Sequence, residues 1–228
     1  MELRKYQKDS IKNIQQAFAD GHQGVFLQIP TGGGKTPTFC GLIHAEQANN
    51  SDSKTLVIAH RSELLEQTSD KLNLFGVAHG IVQGTRNTNP KATVQVCSIQ
   101  TIDHQELPFK PDLIVIDEAH RAVADSYQTV IQQAPKAKRL LTSATPKRTD
   151  GQGFTAMASK LIIGADIKQL IKEGHLVTPS HVALFADPVE AYKTHSRGKK
   201  TLIFAISVEH CQILKQKFLD LGVTSEVH

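Results

Sequence analysis

The chain has 228 residues, with 26 Lys and Arg against 22 Asp and Glu and a formal net charge of +4. That length holds one large α/β domain or one complete domain and part of another, and 39% apolar with 21% charged residues excludes a disordered or low-complexity chain. A pI near 8.9 permits a polyanionic partner without requiring one, while the dispersed Cys40, Cys97 and Cys211 fit neither a disulfide framework nor a zinc cluster.

The first segment, ELRKYQKDSIKNIQQAF, places Ile11, Ile14 and Phe18 at helical spacing and stops at Gly21. From Gly24 the period changes: VFLQI reads as a short strand that runs into Pro30 and a glycine cluster, after which Phe39, Leu42, Ile43 and Ala45 line one face of a helix. The alternation repeats, with strand TLVIA at 55–59, a helix from Ser62 to Phe75, and strands near Gly80 and at 93–97. Strand LIVID at 113–117, a helix from about Ser126 and strand RLLTS at 139–143 follow. Continuous apolar strands between helices predict a mostly parallel α/β sheet covered on both faces. Beyond TPKRTDGQG comes a helical stretch, DIKQLIKEGHLV, with Gly174 as its stop. Pro179, Pro188 and the basic run SRGKK then interrupt periodicity. A second unit opens with strand TLIFA at 201–205, helix VEHCQILKQKFLDLG and a short strand VTSEV. The start, Met1 to Tyr6, has no apolar signal behind it, and no run approaches the ~18 apolar residues of a membrane span. The expectation is a soluble, cytoplasmic or otherwise intracellular protein with no membrane partner.

The strongest chemical signal is PTGGGKT, Pro30, Thr31, Gly32, Gly33, Gly34, Lys35 and Thr36, between a strand and a helix. Glycines let the backbone curl so that several N–H groups converge on phosphate oxygens, and the helix N-terminus adds donors and a favourable dipole. Lys35 would neutralise the terminal phosphates and Thr36 would place its hydroxyl on Mg²⁺. The general phosphate-loop pattern has a glycine where this chain has Ile29, but three successive glycines keep the backbone free to curl. Pro37 is tolerable because it falls in the first helical turn. ATP and Mg²⁺ are the expected ligands.

The second signal is LIVIDEAH, ending in Asp117, Glu118, Ala119 and His120. A carboxylate at the tip of an apolar strand is costly unless a metal or donors meet it there. Asp117 suits Mg²⁺, and Glu118 suits orienting and deprotonating an attacking water. With the phosphate loop earlier in the chain, the catalytic set is read as Lys35, Asp117, Glu118 and His120. His120 is open to two readings, a satisfied core histidine or a link between nucleotide state and neighbouring loops, and its place favours the second. In LLTSATPKR, Ser143 and Thr145 end a strand and are expected to bond to His120 or to the carboxylate pair, as coupling residues.

Two further strand ends suit a polyanion. AHRSELLEQ offers His60 and Arg61, with Ser62 as the helix cap, and VCSIQTI offers Ser98, Gln100 and Thr101. Such side chains donate to phosphates without reading bases; the alternative is ordinary loop capping. With 5% aromatics and no Trp, a base-stacking surface is not expected.

The ordered set LRKYQ, PTGGGKT, AHRSELL, CSIQT, DEAH, TSATP and TLIFA resembles superfamily 2 helicases and translocases of the DEAD/DEAH-box class, nearest to the type III restriction-type helicase subunits. The resemblance implies a RecA-like P-loop NTPase domain at 1–165, an interdomain segment at 166–198 and the beginning of a second RecA-like domain at 199–228. It implies that Arg4 and Gln7 lie against and read the adenine, that AHRSELL and CSIQT contact the sugar-phosphate backbone of one strand, and that TSATP couples hydrolysis to motion. The implied partner is nucleic acid, with DNA favoured over RNA. Such proteins close their ATP site with a later glutamine- and arginine-rich motif, and nothing after Glu209 supplies one; HVALFADPVEAY also reaches the second-domain strand early. The chain is therefore expected to be the ATP-binding half of a larger protein, a weak hydrolase when alone. The leading expectation is an ATP-dependent helicase or translocase; the alternatives are a double-stranded DNA translocase without unwinding and a nucleotide-gated interaction module. A small-molecule kinase is disfavoured because no acceptor site is recognisable.

Overall fold

The computed structural model describes residues 1–121, 125–146, 154–155, 157–181 and 186–227. The chain divides into two units, Met1–Val177 and Thr178–His228, each taken here by itself. In the first unit, helix α1 (Lys5–Ala19) buries Tyr6, Ile14 and Phe18 on one stripe and ends at Gly21, whose φ of 91° only glycine adopts freely. Strand β1 (Gly24–Gln28) leads through the glycine loop into α2 (Lys35–Asn49), and β2 (Thr55–Ala59) into α3 (Ser62–Leu74). Strands β3 (Gly80–Gln83), β4 (Arg86–Asn87) and β5 (Val94–Ser98) follow, then the single turn α4 (Ile99–Ile102) and β6 (Leu113–Ile116). A 3-10 turn (Ala119–Arg121), α5 (Asp125–Gln133), β7 (Lys138–Ser143), β8 (Lys160–Ile163) and α6 (Ile167–Lys172) complete the unit.

Among the described residues the strands form one sheet in the order β4-β3-β5-β2-β6-β7-β1-β8. Every neighbouring pair is parallel except β3 with β4. Alternation of side chains divides the core as the strand geometry demands. Val25 and Leu27 join α1, α2 and α3 on one face. Phe26, Leu56, Ile58, Ile114, Ile116 and Leu141 join α4 and α5 on the other. Each such side chain, buried between sheet and helix, contributes about 1.5–3 kcal/mol of transfer free energy. This is the doubly covered, mostly parallel α/β sheet expected from the sequence. Because the long strands are parallel, the C-terminal ends of β5, β2, β6, β7 and β1 emerge along one edge in that order, which is where open sheets of this type hold ligands.

Several elements differ from the sequence expectation. Ser62 is the first residue of α3 and Arg61 stands at the cap position; the Ser62 hydroxyl instead accepts from Gln83 Nε2 at 2.6 Å. Edge strand β8 is additional, aligned so that Phe26 faces Leu161 and Leu27 faces Ile162. In the second unit Pro188 starts a helix rather than breaking one: α7 (Pro188–His195) has Pro188 in its first turn and Asp187 as N-cap, whose carboxylate accepts from Val189 N–H. Helix α8 (Val208–Asp220) is capped by Ser207. Neither 201–205 nor 223–227 forms a strand. The apolar run is genuine, with Ile203 and Ala205 packed on Leu214 and Phe218, but Leu202, Phe204 and Ile206 are exposed and no described strand pairs with the run, without which extended backbone is not a sheet. Residues 147–153 of TPKRTDGQG and 182–185 of HVALFADPVEAY lie outside the described residues. No described helix is long and apolar enough to cross a membrane.

Candidate nucleotide and nucleic-acid site

The glycine loop is held by its own backbone. Gly33 N–H donates to the Pro30 carbonyl at 2.9 Å, and Gly32 and Gly34 take φ of 77° and 84°, the left-handed region where a side chain is strained. There is also no room for one. A Cβ on Gly33 would lie 2.6 Å from Ile29 Cγ2, and one on Gly34 would lie 2.4 Å from Gln7 Nε2. Lys35 is the first residue of α2, Thr36 the half-buried second, and Pro37 falls in the first turn as expected. The result is a curled loop opening on a helix N-terminus, whose unpaired N–H groups suit an anion.

Strand β7 lies between β1 and β6, so the TSAT segment separates the glycine loop from the acidic pair. Asp117 is buried, at 3% exposure, and its Oδ1 accepts from Thr142 Oγ1 at 2.8 Å and from Glu118 N–H at 2.9 Å. Burial pushes its carboxyl above the usual carboxylate range and the neighbouring Glu118 adds to this, while the Thr142 bond and the Lys35 ammonium act in the opposite direction. A desolvated carboxylate with lone pairs to spare suits a divalent cation, which would offset the burial penalty. Glu118 has φ of 49°, a conformation that costs a non-glycine residue about 1 kcal/mol. Its carboxylate lies 3.4 Å from Lys35 Nζ through Oε1 and 3.2 Å from His120 Nδ1 through Oε2. His120 Nδ1 also lies 3.0 Å from Ser143 Oγ. Ser143 Oγ further accepts from Thr145 N–H at 3.3 Å, and the Ser143 carbonyl accepts from Ile29 N–H at 3.2 Å. Close polar contacts therefore run from Glu118 through His120 and Ser143 to the residue before the glycine loop.

Toward the other end of the edge, Gln100 Nε2 donates to the His60 carbonyl at 3.0 Å and lies 3.2 Å from His60 Nδ1. Ser98 Oγ donates to Gln100 Oε1 at 2.6 Å. These bonds tie the β5 end to the β2 end. Ser98 and Thr101 are buried, and Thr101 Oγ1 accepts from Gly84 N–H at 2.8 Å, so these two brace the edge from within while His60, Arg61 and Gln100 face outward. A cleft of about 550 Å³ brings Thr31, His60, Arg61, Glu118, His120 and Thr145 together.

Arg4 and Gln7 sit at the start of α1. Arg4 N–H donates to Gln7 Oε1 at 2.9 Å, and Gln7 Nε2 donates to the Gly34 carbonyl at 3.1 Å. Gln7 is 3% exposed, so both ends of its amide are engaged by backbone. Two residues escape a reading of motifs alone. Thr142 is a polar residue inside an apolar strand, a signal available in RLLTS, and it holds Asp117. Tyr6 lies within LRKYQ, and its hydroxyl donates to the Gly33 carbonyl at 2.6 Å.

Residues 1–148 match the family model described as type III restriction enzyme, res subunit. A 51.5 kDa protein of a Lactococcus phage (isolate 7-9) is 25% identical over 225 residues, covering 86% of this chain and 47% of that protein. Among solved structures, a nuclease-deletion mutant of the Type ISP restriction-modification enzyme LlaGI in complex with a DNA substrate mimic has a TM-score of 0.61 at 20% identity, covering 77% of this chain and 21% of that one. The UvsW helicase of bacteriophage T4 has a TM-score of 0.59 at 20% identity, covering 72% of this chain and 60% of that one. These likenesses establish the RecA-like P-loop NTPase fold. The chain spans less than half the length of the first curated relatives it matches.

Proposed function

We propose, from the premise that this chain belongs to the type III restriction enzyme res-subunit family, that it is the ATP-hydrolysing part of a DNA helicase or translocase. The observation that carries this reading is the 3.4 Å pair between Lys35 Nζ and Glu118 Oε1. A glycine-loop lysine and a strand-end glutamate meet there although 83 positions separate them in sequence (118 − 35). The loop N–H groups and Lys35 bind the phosphates of ATP; in doing so the triphosphate draws Lys35 from Glu118 and frees that carboxylate. Thr36 and Asp117 would hold Mg²⁺, which when bound would supply neutralising positive charge to the triphosphate. Glu118 takes a proton from water as the water oxygen forms its bond to the γ-phosphorus and the bond to the bridging oxygen breaks, leaving ADP and phosphate. His120 and Ser143 link that carboxylate to the TSAT segment, so that loss of the γ-phosphate is felt toward the cleft lined by His60, Arg61 and Thr145.

His60, Arg61, Gln100 and, through the bracing they provide, Ser98 and Thr101 serve the sugar-phosphate backbone, which carries no sequence information. DNA is favoured because the similar structures include a restriction-modification enzyme in complex with a DNA substrate mimic. Arg4 and Gln7 are assigned to the adenine, and for Gln7 this requires exchanging its bond to Arg4 or Gly34 for one to the base. The segment 199–228 is proposed as the opening of a second RecA-like domain.

The test is ATP turnover by the full-length parent protein with and without single-stranded DNA, double-stranded DNA and RNA, with Glu118→Gln as control. Stimulation by DNA that disappears in Glu118→Gln is the expected result. Saturable ATP binding with no turnover under any polymer would overturn the motor reading and favour a nucleotide-gated interaction module.

A further inference from the structure

Two consecutive residues of α1 hold two consecutive carbonyls of the glycine loop. Tyr6 Oη donates to Gly33 O at 2.6 Å while accepting from Arg4 Nη1 at 3.0 Å, and Gln7 Nε2 donates to Gly34 O at 3.1 Å. The two carbonyls are not equally dependent on α1. Gly34 O also receives Thr38 N–H at 3.2 Å and Thr38 Oγ1 at 2.8 Å, so the helix itself holds it. Gly33 precedes the N-cap, and the left-handed Gly34 turns its carbonyl away from α2, so no helical N–H is placed to serve it. Among the described residues Tyr6 is the donor that Gly33 O receives. The phenol is buried, at 5% exposure, where an unmet carbonyl is costly.

The consequence lies on the other side of the peptide plane. In a trans peptide the carbonyl and the following N–H point in opposite directions. Holding Gly33 O against α1 therefore aims the Gly34 N–H away from α1. Gly34 has φ of 84° and ψ of 44°, and a left-handed residue at this point turns successive planes so that their N–H groups share one concavity, the arrangement that binds anions. We propose that Tyr6 is a positioning residue for this loop: its hydroxyl holds the Gly33 carbonyl, which the helix cannot reach, and fixes the Gly34 N–H toward a bound phosphate. This rests on the nucleotide-binding reading above and adds to it a residue that acts on phosphate whatever base is attached.

The test compares Tyr6→Phe with the unmodified chain in equilibrium binding of inorganic tripolyphosphate, ATP and GTP, together with hydrogen exchange at the Gly34 amide. Phe keeps the ring against His175, whose centroid lies 6.1 Å away, and removes only the hydroxyl. The expected result is a loss of roughly five- to tenfold for all three ligands, the scale of one hydrogen bond, with the ATP-to-GTP ratio unchanged and faster exchange at Gly34. Replacing Tyr6 instead by p-aminophenylalanine keeps a donor at the para position and should retain tripolyphosphate affinity; should Tyr6→Phe alone fail to fold, this variant is compared with the unmodified chain instead, and binding close to that chain's is expected. Tripolyphosphate affinity unchanged in Tyr6→Phe overturns the inference and leaves the nucleotide site standing, as does a p-aminophenylalanine variant that folds without binding. An unmodified chain that binds neither tripolyphosphate nor ATP overturns both.

Discussion

Replacing Thr142 by Val removes one hydroxyl and almost nothing else, because the two side chains have nearly the same shape. Thr142 is fully buried and its Oγ1 donates to Asp117 Oδ1 at 2.8 Å. A hydrogen bond to a charged group contributes about 1.5–3 kcal/mol, against about 1 kcal/mol to a neutral one. The penalty therefore depends on how Asp117 is protonated. Burial already holds this carboxyl above its ordinary range, with the Thr142 bond acting against that shift, so the valine variant raises it further. A carboxyl raised in the folded state binds more protons folded than unfolded, so its contribution to stability is greatest in acid and falls as pH rises toward the folded value. Losing the hydroxyl steepens that fall. The stability difference between the two proteins should accordingly be about 1.5–3 kcal/mol near neutrality and shrink toward about 1 kcal/mol in mild acid. Urea denaturation of the two proteins side by side, near neutrality and near pH ~5, measures the difference while cancelling titrations they share. A difference that is absent near neutrality, or that grows in acid, refutes the reasoning.

Gly34→Ala places a Cβ 2.4 Å from Gln7 Nε2 at φ 84°; it should cost about 1 kcal/mol or more in stability and weaken ATP binding at least tenfold, as read by calorimetric titration. Cys40 and Cys97 are fully buried, with thiols raised by burial, that of Cys97 to about 12. A chromogenic disulfide at mildly alkaline pH should therefore label Cys211 alone in the native protein and all three thiols in denaturant. The same two thiols carry stability that is intact below their unfolded value of 9.0 and is lost as pH rises toward the folded ones, so alkaline unfolding should steepen above that point and be relieved in Cys97→Ala relative to its neutral-pH stability.

What was legible in the sequence follows from the range over which each feature is determined. Strands β1, β2, β5, β6 and β7 are buried on both faces, so the apolar runs TLVIA and LIVI declare themselves without reference to neighbours. The motifs are equally local, because a parallel sheet delivers every strand end to the same edge whatever the strand order. Edge strand β8 is less legible: in KLII only Ile162 is buried and Ile163 is exposed, and what makes it a strand is its pairing with β1 more than 130 positions earlier. Helix α7 was hidden by Pro188, a helix starter when it occupies the first turn behind a capping aspartate. The run at 201–205 shows the converse, since apolar alternation supplies a face but not the partner that makes a strand. At the site, residue types revealed who takes part and not how they are joined. That Thr142 rather than Ser143 holds Asp117, that Ser98 and Thr101 brace the edge from within, and that Tyr6 holds the Gly33 carbonyl all depend on which side of a strand or helix a residue faces.

The most direct test of the account is equilibrium titration of ATP with Mg²⁺ into this chain and into Lys35→Ala. One saturable site in the unmodified chain, weakened by ~10- to 100-fold in the variant, is predicted, since a charge-assisted bond to phosphate contributes about 1.5–3 kcal/mol. Equal affinity in the two proteins, or no binding by either, would contradict the assignment of the glycine loop and strand-end carboxylates as a nucleotide site.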